Sequence, residues 1–523
     1  MIRKSARGLR LTLAFALNLI VLFAIFNYRN GGTLVPNPRH ARARHDVRCF
    51  PPRKKPASIK VPAAQDDKFL AGLWDTLRPL FDQHKPEPAH IDKPAPEKKP
   101  GESELGSFFD LTDEEADLTR ARHEELVGKL PPYPQQRFGG RGVVILAGGR
   151  YSEFAAITLG MLRESGSRLP VELWFDDGGD DEWCRELEPE GVACRRLTEY
   201  MSLDDLPSPY QWKVFTMLYS TFEEILFIDA DSMPVKNPDS VFESAVFQSN
   251  GVILWPDYWT HTGSPWLPYL VGINDTRKSD MLVREMSIES GQIYWNKKTH
   301  WKSLVLAAYY NYFGPDFWYT VFNNGWAGWG DKDAFVVACK AAQQPYYQVP
   351  HSIVTIFLQG TTDGIGMLQG DPTNRAEHTP LFMHINMIKM SMREVLCSED
   401  CTKSERQGDH PFHMIDENSR INKHLREGRR LYAVAELFEA NIDPEPDVWR
   451  VLEHTACRTH RGSRHMCKNA RDHMERTFGF KFTADGDEGG DGDARVCIEG
   501  PWAQPSTARP KPDNWTRGDG EDY

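Results

Sequence analysis

A mixed, mostly parallel sheet flanked by helices is predicted for this 523-residue α/β chain, behind one N-terminal transmembrane helix and an extended stem. Three observations predict it. Short apolar runs alternate with helix-patterned segments from Arg141 onward. A single uncharged run lies near the N-terminus, and the stretch between the two is rich in proline, lysine and glutamate. Strands alternating with helices argue for a parallel sheet covered on both faces. Composition narrows the function classes. The chain is 40% hydrophobic and 26% charged, as globular proteins are. Its 62 Lys+Arg against 74 Asp+Glu give a net charge of −12, which argues against a broad nucleic-acid surface. One long apolar run excludes a multi-spanning transporter.

The N-terminus is expected to set the compartment. Arg3, Lys4, Arg7 and Arg10 precede the uncharged run Leu11–Phe26. As a helix it would be about 24 Å long, near the roughly 27 Å of early secretory membranes. Asn27-Tyr28-Arg29-Asn30 follows in place of a small-x-small cleavage site, so the span reads as a retained signal-anchor. Basic residues before it keep the N-terminus cytoplasmic and place the rest in the lumen. Asn274-Asp275-Thr276 and Asn514-Trp515-Thr516 fit the glycosylation acceptor pattern. Nine cysteines without Cys-x-x-Cys spacing disfavour zinc ribbons and favour disulfides, with Cys184–Cys194 and a bridge within the Cys397–Cys497 group as candidates.

Residues 29–137 read as a stem, with Lys85-Pro86-Glu87-Pro88 and the Lys93–Pro100 run too poor in apolar surface to pack. Two helical islands interrupt it, one around Phe69–Phe81 and one opened by Thr112 with Glu115 as its capping-box partner. Strands follow at Val143–Leu146, Val171–Phe175, Gly191–Cys194 and Ile225–Ile228, separated by helices at Phe154–Ser165, Asp181–Glu188 and Trp212–Ser220. Beyond residue 397 the alternation fades into basic helical stretches and an acidic Gly/Asp run that reads as disordered. The boundaries are a cytoplasmic tail (1–10), signal-anchor (11–28), stem (29–137), α/β domain (138–396) and Cys-containing C-terminal extension (397–523).

The sharpest chemical signal is Asp229-Ala230-Asp231 at the end of the fourth strand. Ligands of such sheets bind outside the carboxyl ends of the strands. Two carboxylates there can share a divalent cation, Mg²⁺ or Mn²⁺, together with the phosphates it accompanies. Gly148-Gly149 ends the first strand, where backbone can approach a nucleotide before a helix N-terminus. Lys213, on the helix before the metal strand, could pair with phosphate or snorkel to the surface. Eight of the fifteen tryptophans lie between Trp255 and Trp329, and their flat faces suit sugar rings as well as a core. Trp255 and Trp259 are candidates for the acceptor side, with Asp257 between them.

Several stretches occur in a telling order: Val144–Tyr151, Leu169-Pro170-Val171-Glu172, Tyr210-Gln211-Trp212-Lys213, Ser220–Asp231, Leu254–Trp259, Glu289-Ser290-Gly291-Gln292 and Gly330–Phe335. Together they resemble the fungal Golgi mannosyltransferases of glycosyltransferase family 71, type II membrane proteins that extend N-glycan outer chains. The Tyr309–Asp316 segment is more like the alpha-1,2 branch than the alpha-1,3 branch. Arg150 stands where the family usually has lysine.

The resemblance implies a GT-A fold, GDP-mannose as donor, Mn²⁺ as metal and retention of the donor's alpha configuration. Asp231 would be the main metal ligand, with Asp229 and His384 beside it. Gly148, Gly149, Arg150, Tyr151, Lys213, Asp229 and Lys389 would hold the donor. Asp331 and Asp333 would bind donor-sugar hydroxyls, and Glu289 and Gln292 would stand beside the anomeric carbon. Trp255, Asp257 and Trp259 would meet a mannose-containing glycan, an N-glycan outer chain or mannan. Golgi residence, a mannosyltransferase complex and glycosylation at Asn274 and Asn514 belong to the same expectation. Three alternatives stay open at this point: an alpha-1,3-mannosyltransferase, a non-catalytic scaffold or mannan-binding subunit, and a sugar-nucleotide pyrophosphorylase, whose glycine-rich loop begins with similar letters.

Overall fold

Val143, Val144 and Ile145 are wholly inaccessible to solvent, as a strand covered on both faces requires. The computed structural model describes residues 48–50, 59, 67–92, 109–149, 151–176, 181–260, 263–279, 281–282, 285–324, 331–361, 364–387, 392–396, 425, 427–433, 437, 442–459, 461–480, 482 and 496–498. Strand β1 (Arg48–Phe50) pairs antiparallel with β14 (Val496–Ile498). Between them lie two larger sheets.

The seven-stranded sheet holds β2 (Arg141–Leu146), β3 (Val171–Phe175), β4 (Val192–Arg196), β5 (Glu224–Ile228), β7 (Val252–Thr260), β8 (Met286–Asn296) and β9 (Tyr347–Gln348), in the order β4-β3-β2-β5-β8-β7-β9. β4, β3, β2 and β5 are parallel neighbours; β8 runs against both β5 and β7, and β9 is parallel to β7. The expected mixed, mostly parallel sheet is present. Gly142 lets β2 lie close to the next layer, because a Cβ there would fall 2.2 Å from the Phe222 ring. Helices at Tyr151–Glu164, Asp181–Leu187 and Pro209–Tyr219 stand where the alternation places them, the last opened by a Ser208/Gln211 capping box.

The second sheet was not foreseen. It runs β13 (Tyr432–Ala433), β10 (Val354–Leu358), β11 (Gly364–Gly370), β12 (Pro380–His384) and β6 (Ser232–Pro234), all antiparallel. β6 starts at the residue after Asp231, and its pairing sets Ser232 opposite His384. These strands are short, so periodicity along the chain had little length in which to register.

Two domain expectations are corrected. The stem does not stay extended up to residue 137. Helix Asp113–Lys129 has the predicted Thr112/Glu115 capping box, yet it and helix Leu73–Gln83 join the main apolar core. Trp74, Leu77, Phe81 and Leu126 are buried there, and the Trp74 indole N–H donates to Asp205 at 2.9 Å. Nor is the region past 397 merely an appended extension. Helices Glu445–Arg458 and Arg464–Phe478 form a second core with β10–β12 and with Ile157 and Met161 of helix Tyr151–Glu164. Sequence reading missed both because each helix buries its stripe against residues far away along the chain.

Disulfides join Cys184 to Cys194, as expected, and Cys457 to Cys467, within the Cys397–Cys497 group; Cys339 is buried and free. Among the described residues no helix is long and apolar enough to cross a membrane. The tail, the Leu11–Phe26 run and the acidic end lie outside them, as do Arg150, Lys389 and Asn514.

Candidate active site

The turn Asp229-Ala230-Asp231 is pinned from three directions. The Asp229 N–H donates to the Gly291 carbonyl on β8 at 2.7 Å, and the Ile385 N–H donates to the Asp231 carbonyl at 3.0 Å. The Thr158 hydroxyl, from helix Tyr151–Glu164, donates to the Ala230 carbonyl at 2.7 Å. Both sheets and the helix between them therefore fix where the two carboxylates point.

Three further side chains converge on this turn. His384 Nε2 lies 3.1 Å from Asp231 Oδ1, and Nδ1 lies 3.0 Å from Glu289 Oε1. Glu289 is 6% exposed and its oxygens are engaged: the Gly291 N–H donates to Oε1 and Gln292 Nε2 to Oε2, each at 2.5 Å. The Ser232 hydroxyl donates to Gln292 Oε1 at 2.9 Å, so β6 steadies Gln292 in turn. Gly291 makes this crowding possible, since a Cβ there would lie 2.6 Å from both Glu289 Oε1 and His384 Nδ1. A glycine within a strand marks such close approach, and that was the one local signal available for the cluster.

Charge follows geometry. Burial alone would lower the basicity of His384, but Glu289 and Asp231 outweigh it and hold the imidazolium up to about 10. Burial would raise Glu289, yet His384 and Lys213 bring its carboxyl below the usual range. Asp229 is pushed up by burial, against the pull of Lys213 and with the repulsion of Asp231. Asp331 is also raised by burial, and it feels Lys213 and Asp229, which places it at the same cluster.

The remaining expectations divide. Lys213 spends its three ammonium donors on Asp229 Oδ2 (2.9 Å), the Ser290 carbonyl (3.0 Å) and the Ser290 hydroxyl (2.8 Å). It anchors Asp229 and is not free to reach a phosphate. Asp333 is fully buried and accepts from the Ser287 hydroxyl and the Ile288 N–H, so it clamps the next helix to β8 instead of meeting a sugar. Trp255 is also fully buried, its indole donating to the Gly370 carbonyl, which removes it from an acceptor surface. Asp257 is paired with Lys332, a partner the sequence reading did not name. Gln292 holds Glu289 and is itself inaccessible, which takes it away from the anomeric carbon. The Trp259 side chain lies outside the description.

Gly148 and Gly149 adopt positive φ of 110° and 49°, as the strand–helix turn requires. The Gly148 N–H donates to the Ser152 hydroxyl at 3.2 Å, and Tyr151 opens the helix. Asn274 is half-buried in a loop, and its side-chain amide donates to Ser279 at 3.3 Å.

Asp229, Glu289 and His384 each offer a ligand atom, all within 4.8 Å of one another. Carboxylate oxygens with an imidazole nitrogen suit Mn²⁺ and similar divalent ions. By the chemistry of its donors the cluster fits such a cation.

Comparison with known proteins shows what the chain resembles. Residues 140–286 and 275–364 match the family model described as "Mannosyltransferase putative". That match makes residues 140–364 similar to mannosyltransferases. The match covers the Asp229-Ala230-Asp231 turn, Glu289 and Asp331 but stops before His384. The chain is 34% identical over 286 residues to the alpha-1,2-mannosyltransferase MNN24 of Candida albicans, covering 47% of this chain and 40% of that protein. It is 33% identical over 368 residues to MNN23 of the same yeast, covering 59% and 60%. The chain thus spans about half the length of the curated relatives it matches. Among solved structures, an active-site mutant of LgtC overlaps 58% of this chain and 100% of its own, at 9% identity. Its TM-score of 0.33 is too low to bear on this fold.

Proposed function

We propose that this chain is a retaining alpha-mannosyltransferase that moves mannose from GDP-mannose to a mannose-containing glycan, forming alpha-1,2 linkages. One observation carries the reading: a cluster of half-buried Asp229 with buried Glu289 and His384 stands at the carboxyl end of the central strands, its two carboxylates inside the region similar to mannosyltransferases. The relatives' names supply the alpha-1,2 linkage. A GT-A assignment, the Mn²⁺ and the donor base belong to the proposal.

Asp229, Asp231 and His384 would hold the cation, which when bound neutralises diphosphate charge as the nucleotide leaves. The chain's own residues prepare that event. Lys213 fixes Asp229, Gln292 fixes Glu289, and the Gly148-Gly149 turn opens backbone to the donor phosphates. Asp331, which feels the charges of Lys213 and Asp229, would take a hydroxyl of the transferred sugar. Buried carboxylates and the Lys213 ammonium stay oriented before substrate arrives, so little reorganisation is needed on binding.

In the same reading the protein is a single-pass type II membrane protein with a lumenal catalytic domain, in the Golgi. The basic-then-apolar N-terminus supports the anchor. Two disulfides support an oxidising compartment. Asn274 is the proposed glycan attachment site within the described residues.

The test is direct. Purified protein is incubated with GDP-mannose, Mn²⁺ and an alpha-mannoside, and the product linkage is mapped. An alpha-1,2-linked product that disappears in Asp231→Ala is expected. Pyrophosphate release without transfer, a beta product, or full activity in Asp231→Ala would each overturn the proposal.

A further inference from the structure

Glu289 stands in the cluster with Asp229 and His384, and its surroundings suit a task other than nucleophilic attack. Both oxygens are already occupied by this chain's own groups: the Gly291 N–H and the His384 ring at Oε1, the Gln292 amide at Oε2. It is buried on a strand, and a side chain held by three partners has little freedom to advance on a reacting carbon. The imidazole of His384 is enclosed by two carboxylates, Asp231 at Nε2 and Glu289 at Nδ1. Gly291 leaves no room between Glu289 and the ring. Gly366 brings β11 close to the backbone that carries the ring, since a Cβ there would lie 2.4 Å from the His384 carbonyl. The ring thus faces a carboxylate at each nitrogen, on a backbone that β11 holds close. A carboxylate against the outer nitrogen of a metal-facing histidine fixes which nitrogen carries the proton and which is left for the metal.

We infer that Glu289 is a positioning residue of the cation site, acting through His384, and not the group that attacks the sugar. The inference rests on the proposed function for the existence of that cation. It keeps a proton on Nδ1 and turns Nε2 toward Asp231, where the ion would lie.

Mn²⁺ affinity of the purified chain, measured by calorimetry, tests this without any transfer reaction. Four proteins are compared: wild type, Glu289→Gln, His384→Gln and the double variant, each checked for folding by its thermal transition. Glu289→Gln is expected to weaken Mn²⁺ binding about 10- to 100-fold. The double variant is expected to bind no more weakly than His384→Gln alone, because the effect passes through the ring. Unchanged affinity in Glu289→Gln would overturn the inference, and so would losses that multiply in the double variant. Should Glu289→Gln not fold, Glu289→Asp, which keeps the charge but withdraws it from Nδ1, is read by the same two criteria. A wild type that binds no Mn²⁺ would overturn the proposed cation and this inference together. Mn²⁺ binding by wild type with Glu289→Gln unaffected would overturn the inference alone.

Discussion

His384 Nε2 stands 3.1 Å from Asp231 Oδ1 although 153 positions separate them in the chain. The contact follows from one pairing, in which β12 lies antiparallel to β6 with His384 opposite Ser232. The catalytic proposal therefore rests on a junction between two sheets.

Replacing Asp231 with Asn keeps its shape and removes its charge. Transfer from GDP-mannose should fall by roughly 10²–10³-fold, the usual cost of losing one charge-stabilising group. The thermal transition should move little. Rates at saturating Mn²⁺, set beside a melting curve, check both halves of this expectation.

Lys213→Met should be a folding defect before it is a kinetic one. Lys213 is 9% exposed and its ammonium is fully hydrogen-bonded, and its loss leaves Asp229 without its paired ammonium. Breaking a buried pair from one side costs about 3–5 kcal/mol, and Asp229, with a quarter of its side chain exposed, recovers part of that from solvent. Urea denaturation should show that drop, with Lys213→Arg recovering part of it.

Trp74→Ala tests whether the supposed stem is part of the domain. Its ring meets Phe215 and Tyr312 edge-on at 5.5 and 5.1 Å, besides the bond to Asp205. Truncation should cost about 3–5 kcal/mol. A stem independent of the domain would leave its unfolding transition untouched.

Acid should destabilise the fold through His123. Burial pushes this histidine down to about 3, with Nε2 2.8 Å from the Tyr310 hydroxyl. Below the ordinary value of 6.5 the unfolded chain takes up a proton that the folded chain refuses, so stability falls as pH falls, until about 3. Between pH 7 and 5 the wild type should lose roughly 2 kcal/mol relative to His123→Phe. The difference between their urea midpoints at the two pH values measures it; equal shifts in both proteins would contradict the assignment.

Much of the site was legible from residue order. A buried strand ending in Asp229-Ala230-Asp231 marked where the acidic cluster stands, and glycines at 148 and 149 occupy positive φ. The Glu289-Ser290-Gly291-Gln292 stretch was visible too, although its roles were not. Asp331 and Asp333 are two positions apart and chemically alike. One feels Lys213 and Asp229, while the other is consumed by Ser287 and Ile288. Nothing in the letters separates them, because the division depends on where the following helix starts against β8.

By itself, then, the sequence determined the parallel strands, the helices between them and the acidic turn, since each is written in contiguous residues whose period or spacing carries the information. Only the tertiary structure decided the second sheet, the docking of the Leu73–Gln83 and Asp113–Lys129 helices, and the ring of Asp231, His384, Glu289 and Gln292. Those depend on register between strands far apart in the chain, and a shift of one residue would turn His384 to the opposite face.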